Sequence, residues 1–143
     1  MADDTRHRIL DAAERLLARL GYQKTTVDDI AAEAAISKRT IYLYFPSKEE
    51  IALVTVDRIA ERLNERLRAL ANEARPAAAR LRDMLRERVI FRFDSVHEYR
   101  QGIDESVRSL RPGLLARRAR HFAEEARILG AVLTEGRATG EFA

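Results

Sequence analysis

Ile36-Ser37-Lys38-Arg39-Thr40-Ile41-Tyr42-Leu43-Tyr44-Phe45-Pro46-Ser47-Lys48 is the stretch whose reading decides the fold. Ser37 supplies a side-chain cap and about two helical turns follow. Pro46 stops them, because its ring disfavours helix at Phe45 and brings no N–H to the ladder. At roughly 100° per residue, Ile41 and Phe45 share one face while Arg39 and Leu43 fall opposite. Lys38, Thr40, Tyr42 and Tyr44 lie on the flanks. One face can anchor in a core while the other offers a guanidinium, methyl groups and hydroxyls. No acidic residue occurs between Ile36 and Lys48. The profile suits a short helix that enters a DNA groove.

Upstream, Ile9, Leu10, Ala13, Leu16, Leu17 and Leu20 repeat at three and four. They predict a first helix capped by Asp3, Asp4 or Thr5 and ended by Gly21. Thr26-Val27-Asp28-Asp29 opens a second with a Thr cap and an acidic residue three places on, the pattern of a capping box. Ile30, Ala31 and Ala34 form its buried face. Ala35-Ile36-Ser37 is the turn, so two short helices and a three-residue turn make a helix-turn-helix. Downstream, Ser47 caps a fourth helix whose stripe runs through Ala52, Val56, Ile59, Leu63, Leu67 and Leu70 to about Ala74. It is a rod of about 40 Å leading from the candidate DNA site into the second half. Leu81, Leu85 and Val89, with Met84, Phe91 and Phe93, mark a fifth helix. A weaker one is expected over 96–110, bent near Gly102. Arg111-Pro112-Gly113 reads as a break, and a last helix as running from Leu114 to about Gly136.

The totals fit this all-α reading. The chain has 143 residues, 46% apolar and 34% charged, with six Gly, three Pro and no Cys. That composition argues for a helix-rich globule and excludes disulfides and thiolate zinc sites. The start lacks a secretory core and no apolar run approaches membrane-spanning length, so a cytoplasmic protein with no membrane partner is expected. Net charge is +3, yet residues 1–50 hold eight Lys/Arg against nine Asp/Glu, a balance of −1. DNA attraction at the front end must therefore come from local arrangement. The helix starts at Thr26, Ser37 and Ser47 can turn amides and positive dipole ends toward phosphates.

Arg8-Ile9-Leu10-Asp11-Ala12-Ala13, Leu20-Gly21-Tyr22, Thr25-Thr26-Val27-Asp28-Asp29-Ile30-Ala31 and the stretch from Ile36 to Glu49 together resemble the tetracycline-repressor-like (TetR) family of transcriptional regulators. The likeness covers about the first third of the chain; beyond residue 50 it is architectural. It implies a three-helix DNA-binding domain (1–47), then a long connecting helix and a helical ligand-binding and dimerisation domain (48–143). Family members normally add two more helices that build the homodimer interface, so this second domain is expected to be truncated. Ala35 stands where the family often has Gly. The implied function is a ligand-responsive repressor that binds a palindromic double-stranded operator as a homodimer. By this resemblance and by helix position, Thr26, Tyr42, Tyr44 and Lys48 would hold the DNA backbone, fixing register. Ser37 would cap the recognition helix at the same surface. Arg39 would read base edges, Thr40 and Leu43 would meet thymine methyls, and Lys38 suits either role. An unknown small-molecule effector would be lined by Met84, Phe91, Phe93, Tyr99 and Phe122.

Two other readings compete. Asp94 with His97 and His121 with Glu124 have the i,i+3 spacing of helical-bundle metal sites, although surface ion pairing explains such pairs more often. No cofactor and no enzymatic site is expected. Alternatively, the chain is a helical protein-interaction or small-molecule-binding module whose helix-turn-helix does not bind DNA, as the −1 balance of the front end allows.

Overall fold

The structure, a computed structural model, describes the backbone of residues 2–98 and 103–143 and the side chains of 2–95 and 110–143. The described residues form six α-helices and no strand: α1 (Ala2–Lys24), α2 (Val27–Ala34), α3 (Lys38–Tyr44), α4 (Lys48–Ala71), α5 (Ala77–Glu98) and α6 (Ile103–Ala138). The fold is all-α, with an N-terminal helix-turn-helix followed by a helical region. The chain divides into two compact units, residues 1–57 with 96–115 and residues 58–95 with 116–143.

In the first unit the expected caps organise the helices. Thr26 accepts from the Asp29 N–H at 3.1 Å, and the Thr26 N–H donates to the Asp29 carboxylate at 3.0 Å, which closes a capping box. The Thr26 hydroxyl, and after it the Thr26 N–H, donate to the Asp29 carboxylate and hold its pKa below the ordinary range. Ser37 Oγ accepts from Thr40 N–H and Ser47 Oγ from Glu50 N–H, each at 3.1 Å. Phe45 leaves α3 in an extended conformation, as the following proline requires. Gly21 ends the regular part of α1: its φ of 79° and ψ of 169° kink the helix before residues 22–24. The core joins Ile9, Leu10, Ala13 and Leu16 of α1 to Ile30, Ala31 and Ala34 of α2, Ile41 and Phe45 around α3, and Ile51 of α4.

The turn between α2 and α3 is strained at one residue. Ala35 adopts φ 52°, ψ 48°, the left-handed region. Its N–H reaches Ala32 O at 3.2 Å and the Ile36 N–H reaches Ala31 O at 3.0 Å, the paired bonds of a Schellman ending. Arg8 Nη2 adds a bond to Ala34 O at 2.6 Å, so α1 braces the same turn.

The second unit packs Leu63 and Leu67 of α4 with Ala77 and Met84 of α5 and Ile128 and Val132 of α6. Arginines fasten its edges. Arg80, 4% exposed, pairs with Glu135 and donates to Ala71 O at 2.6 Å, neutralising the C-terminal end of α4. Glu141 accepts from the Ala77 and Ala78 amides at 2.8 and 2.9 Å and so caps α5. Arg88 and Arg92 both hold the buried Glu125, as a buried carboxylate requires.

α1 starts at Ala2, ahead of the expected caps Asp3, Asp4 and Thr5, and two later boundaries also differ from the sequence expectation. α4 ends at Ala71 rather than near Ala74, and Arg80 takes the carbonyl of Ala71 and, past the turn, that of Arg75. α5 does follow Pro76 as expected, beginning at Ala77, where Glu141 supplies its cap. The expected break at 111–113 does not occur: α6 runs through Pro112. Leu110 is buried against Ala52 and Leu53, and packing outweighs the one ladder bond that proline removes. The bend foreseen near Gly102 lies outside the described residues.

Two stability predictions follow from this geometry. Ala35→Gly removes a left-handed alanine and is expected to raise unfolding free energy by about 1 kcal/mol, read from the urea midpoint. Glu124, bonded by Arg127 and Arg68, has its carboxyl lowered from 4.5 to about 2. A carboxylate depressed by folding contributes above its unfolded value and loses that contribution as pH falls through the folded one. Thermal stability is therefore expected to drop between about pH 4.5 and 2, and Glu124→Gln to flatten the drop in that window.

Candidate nucleic-acid interface

The face of α3 is set by what holds it from behind. Ile41 and Phe45 are 0% and 2% exposed, whereas Leu43 is 78% and Tyr42 48% exposed. Arg39 lies on the same outward surface, exposed and without a protein partner among the described residues. Tyr44 is half-buried against the core, and Thr40 half-buried beside its cap, its hydroxyl 2.8 Å from Ser37 Oγ. A guanidinium, a leucine and a phenol thus share one free surface of a helix narrow enough for a major groove.

The neighbouring cations are held. Lys38 Nζ pairs with Asp28 Oδ2 at 3.2 Å, a surface bond joining α3 to α2. Lys48 Nζ donates to the Tyr22 carbonyl at 3.0 Å and stands 4.2 Å from the centre of the Tyr22 ring. Arg6 stacks 5.2 Å from the Phe45 ring. Thr26 is exposed, with its hydroxyl donated to Asp29 at 2.7 Å. Thr26, Ser37 and Lys48 stand at the starts of α2, α3 and α4, all within the first unit.

Sequence reasoning gave no role to Arg8, Asp28 or Tyr22. Only contact geometry reveals Arg8 on the turn and Asp28 on Lys38, since neither pair has local spacing. Tyr22 was visible within Leu20-Gly21-Tyr22, but its hold on Lys48 spans 26 positions.

The candidate effector residues stand in different surroundings, with Met84 and Phe91 in one cluster. Met84 is fully buried in the second core, and Phe91 packs at its margin with Arg66 5.1 Å from its ring. Phe93 is 71% exposed. Phe122 is ringed by Arg92, Arg118 and Arg88 at 4.4, 5.0 and 5.8 Å. Tyr99 lies outside the described residues. A cleft of about 480 Å³ between α4 and α6 contains none of them; its walls include Asn64, Arg68, Arg120 and Arg127. Of the two metal-type pairs, the Glu124 carboxylate is engaged by Arg127 and Arg68, and the His97 side chain lies outside the described residues. Among the described residues no three His, Asp or Glu side chains cluster as a metal site would need.

Comparison with known proteins agrees with this geometry. The sequence profile of bacterial regulatory proteins, tetR family, matches residues 9–54. The HTH-type transcriptional regulator EthR of Mycobacterium tuberculosis is 42% identical over 69 residues, 48% of this chain and 32% of that protein. The match thus spans about a third of the length of the curated relative. Among solved structures, a TetR/AcrR-family regulator from Thermobifida fusca superposes with TM-score 0.76 at 28% identity, covering 98% of this chain and 74% of that one. FadR of Bacillus subtilis, solved in complex with stearoyl-CoA, gives 0.69 at 26% identity, covering 96% and 73%. No described helix is long and apolar enough to cross a membrane. Residues 9–54 thus match the sequence of the tetR family of bacterial regulatory proteins, and the described helices share the fold of solved regulators of that family.

Proposed function

We propose that this chain is a DNA-binding transcriptional regulator, a ligand-responsive repressor that acts as a homodimer on a palindromic operator in the cytoplasm, and that it is not an enzyme. The observation that carries the reading is the two-sided α3, with Ile41 and Phe45 in the core and Arg39, Tyr42 and Leu43 outside. Residues 1–47 form the DNA-binding part and 48–143 the regulatory part. Arg39 reads base edges, Leu43 and Thr40 meet thymine methyls, and Tyr42, Tyr44, Thr26 and Lys48 hold the backbone, with Ser37 capping the helix between them. Lys38 contributes from its ion pair with Asp28. Two recognition helices must enter successive major grooves about 34–36 Å apart, which calls for a two-fold pair.

Effector control is part of the proposal. A relative crystallised with stearoyl-CoA and another with choline support a small-molecule effector whose chemistry varies within the fold. Met84, Phe91, Phe93, Tyr99 and Phe122 are the proposed lining in this chain. The effector shifts the balance between DNA-competent and incompetent forms only by its differential affinity for the two.

Selection from a random duplex pool gives the test. Arg39→Ala is expected to relax preference at one or two positions, losing about 1–3 kcal/mol of discrimination while binding to random DNA changes little. Lys48→Ala is expected to weaken binding to every sequence and lower the salt slope by about 1. Equal losses on selected and random DNA for Arg39→Ala would remove its base-reading role. Salt-independent binding, or none, would favour a module that does not bind DNA.

A further inference from the structure

Tyr22 joins three parts of the first unit. Its side chain belongs to the small apolar cluster of Ala52, Leu53 and Leu110, with Leu17 and Leu114 beside it. Its carbonyl and its ring both hold the Lys48 ammonium, at 3.0 and 4.2 Å. The carbonyl is itself fixed in place. The Thr25 N–H donates to Tyr22 O at 3.3 Å, the buried Thr25 hydroxyl donates to the adjoining Gly21 O at 2.7 Å, and Gly21 turns the chain with a φ only glycine adopts readily.

Lys48 begins α4, where a cation opposes the helix dipole, so helix stability does not account for it there. A lysine side chain also has large rotamer freedom, which a carbonyl and a π face together restrict. α6 reaches this place closely: a Cβ on Gly113 would come within 2.8 Å of Leu53 Cδ1, and Leu110 is 3% exposed.

We propose that Tyr22 is a positioning residue for Lys48. It holds the ammonium in the orientation that meets a DNA phosphate, and through Leu110 and Leu114 it makes that orientation depend on how the first part of α6 packs. The proposal rests on the DNA-binding reading above, with Lys48 on phosphate. It adds a route by which a change in α6 reaches a DNA-contacting charge without passing through α3.

A double-variant cycle on random-sequence duplex DNA tests it. Tyr22→Leu keeps apolar bulk and the backbone carbonyl but loses the π face; it is expected to weaken binding roughly threefold. In a Lys48→Ala background the same change is expected to cost nothing, since there is no ammonium left to position. Tyr22→Phe retains ring and carbonyl and is expected to bind as the unaltered chain does. Leu114→Ala is expected to follow Tyr22→Leu, weakening binding only while Lys48 is present. Equal losses with and without Lys48 mean that Tyr22 only supports the fold, and they overturn the proposal, as does a loss in Tyr22→Phe matching Tyr22→Leu. If the unaltered chain does not bind DNA, the functional reading itself fails, an outcome separate from additivity in the cycle.

Discussion

The burial of Ile41 and Phe45 is the constraint on which the first unit depends. α3 has only seven residues, too few for an isolated helix to hold its shape in water. Two fully buried apolar side chains, a serine cap and a proline stop make it a rigid projection of the core. Because Ile41 and Phe45 lie four apart, the side of the helix opposite them is turned outward without further instruction. The outward chemistry of Arg39, Tyr42 and Leu43 is therefore a by-product of how the helix is moored.

The second unit is fastened differently. Its core of six buried residues is small, and much of its edge is held by arginine–carboxylate pairs. Glu125 takes two arginines at 5% exposure, and Arg80 serves a carboxylate and two backbone carbonyls at once. Exposed pairs of this kind contribute little each. Those that are buried or that cap helix ends matter more, because removing one partner leaves a charge or a carbonyl unsatisfied. Glu141 is of this type, reaching back from the end of the described chain to the start of α5.

Where the sequence carried local signals, the fold was legible. Thr26 with Asp29, Ser37, Ser47 and Pro46 act within four residues of themselves, and the helix ends they set came out as read. Legibility failed where distant packing overrules a local breaker. Pro112-Gly113 carries the strongest break signal in the second half, yet α6 continues because Leu110 and Leu114 meet α1 and α4 side chains some sixty or more positions away. The cap that Glu141 gives to α5 was likewise hidden, since it comes from 64 positions away. For the candidate interface, helical periodicity alone separated Arg39, Tyr42 and Leu43 from Ile41 and Phe45. It did not reveal that Lys38 and Lys48 are already bonded to Asp28 and Tyr22, for no spacing rule links residues ten or twenty-six apart.

The two positive-φ residues of the helix-turn-helix region differ in kind. Ala35, at φ 52° and ψ 48°, sits in a basin that small or unbranched L-residues can occupy at a cost of about 1 kcal/mol. Gly21, at φ 79° and ψ 169°, sits in one that is closed to nearly every side chain. Mutational drift can therefore wander through position 35 and pass on a slightly less stable turn. At position 21 it meets a wall, and a lineage that keeps this bend keeps this glycine.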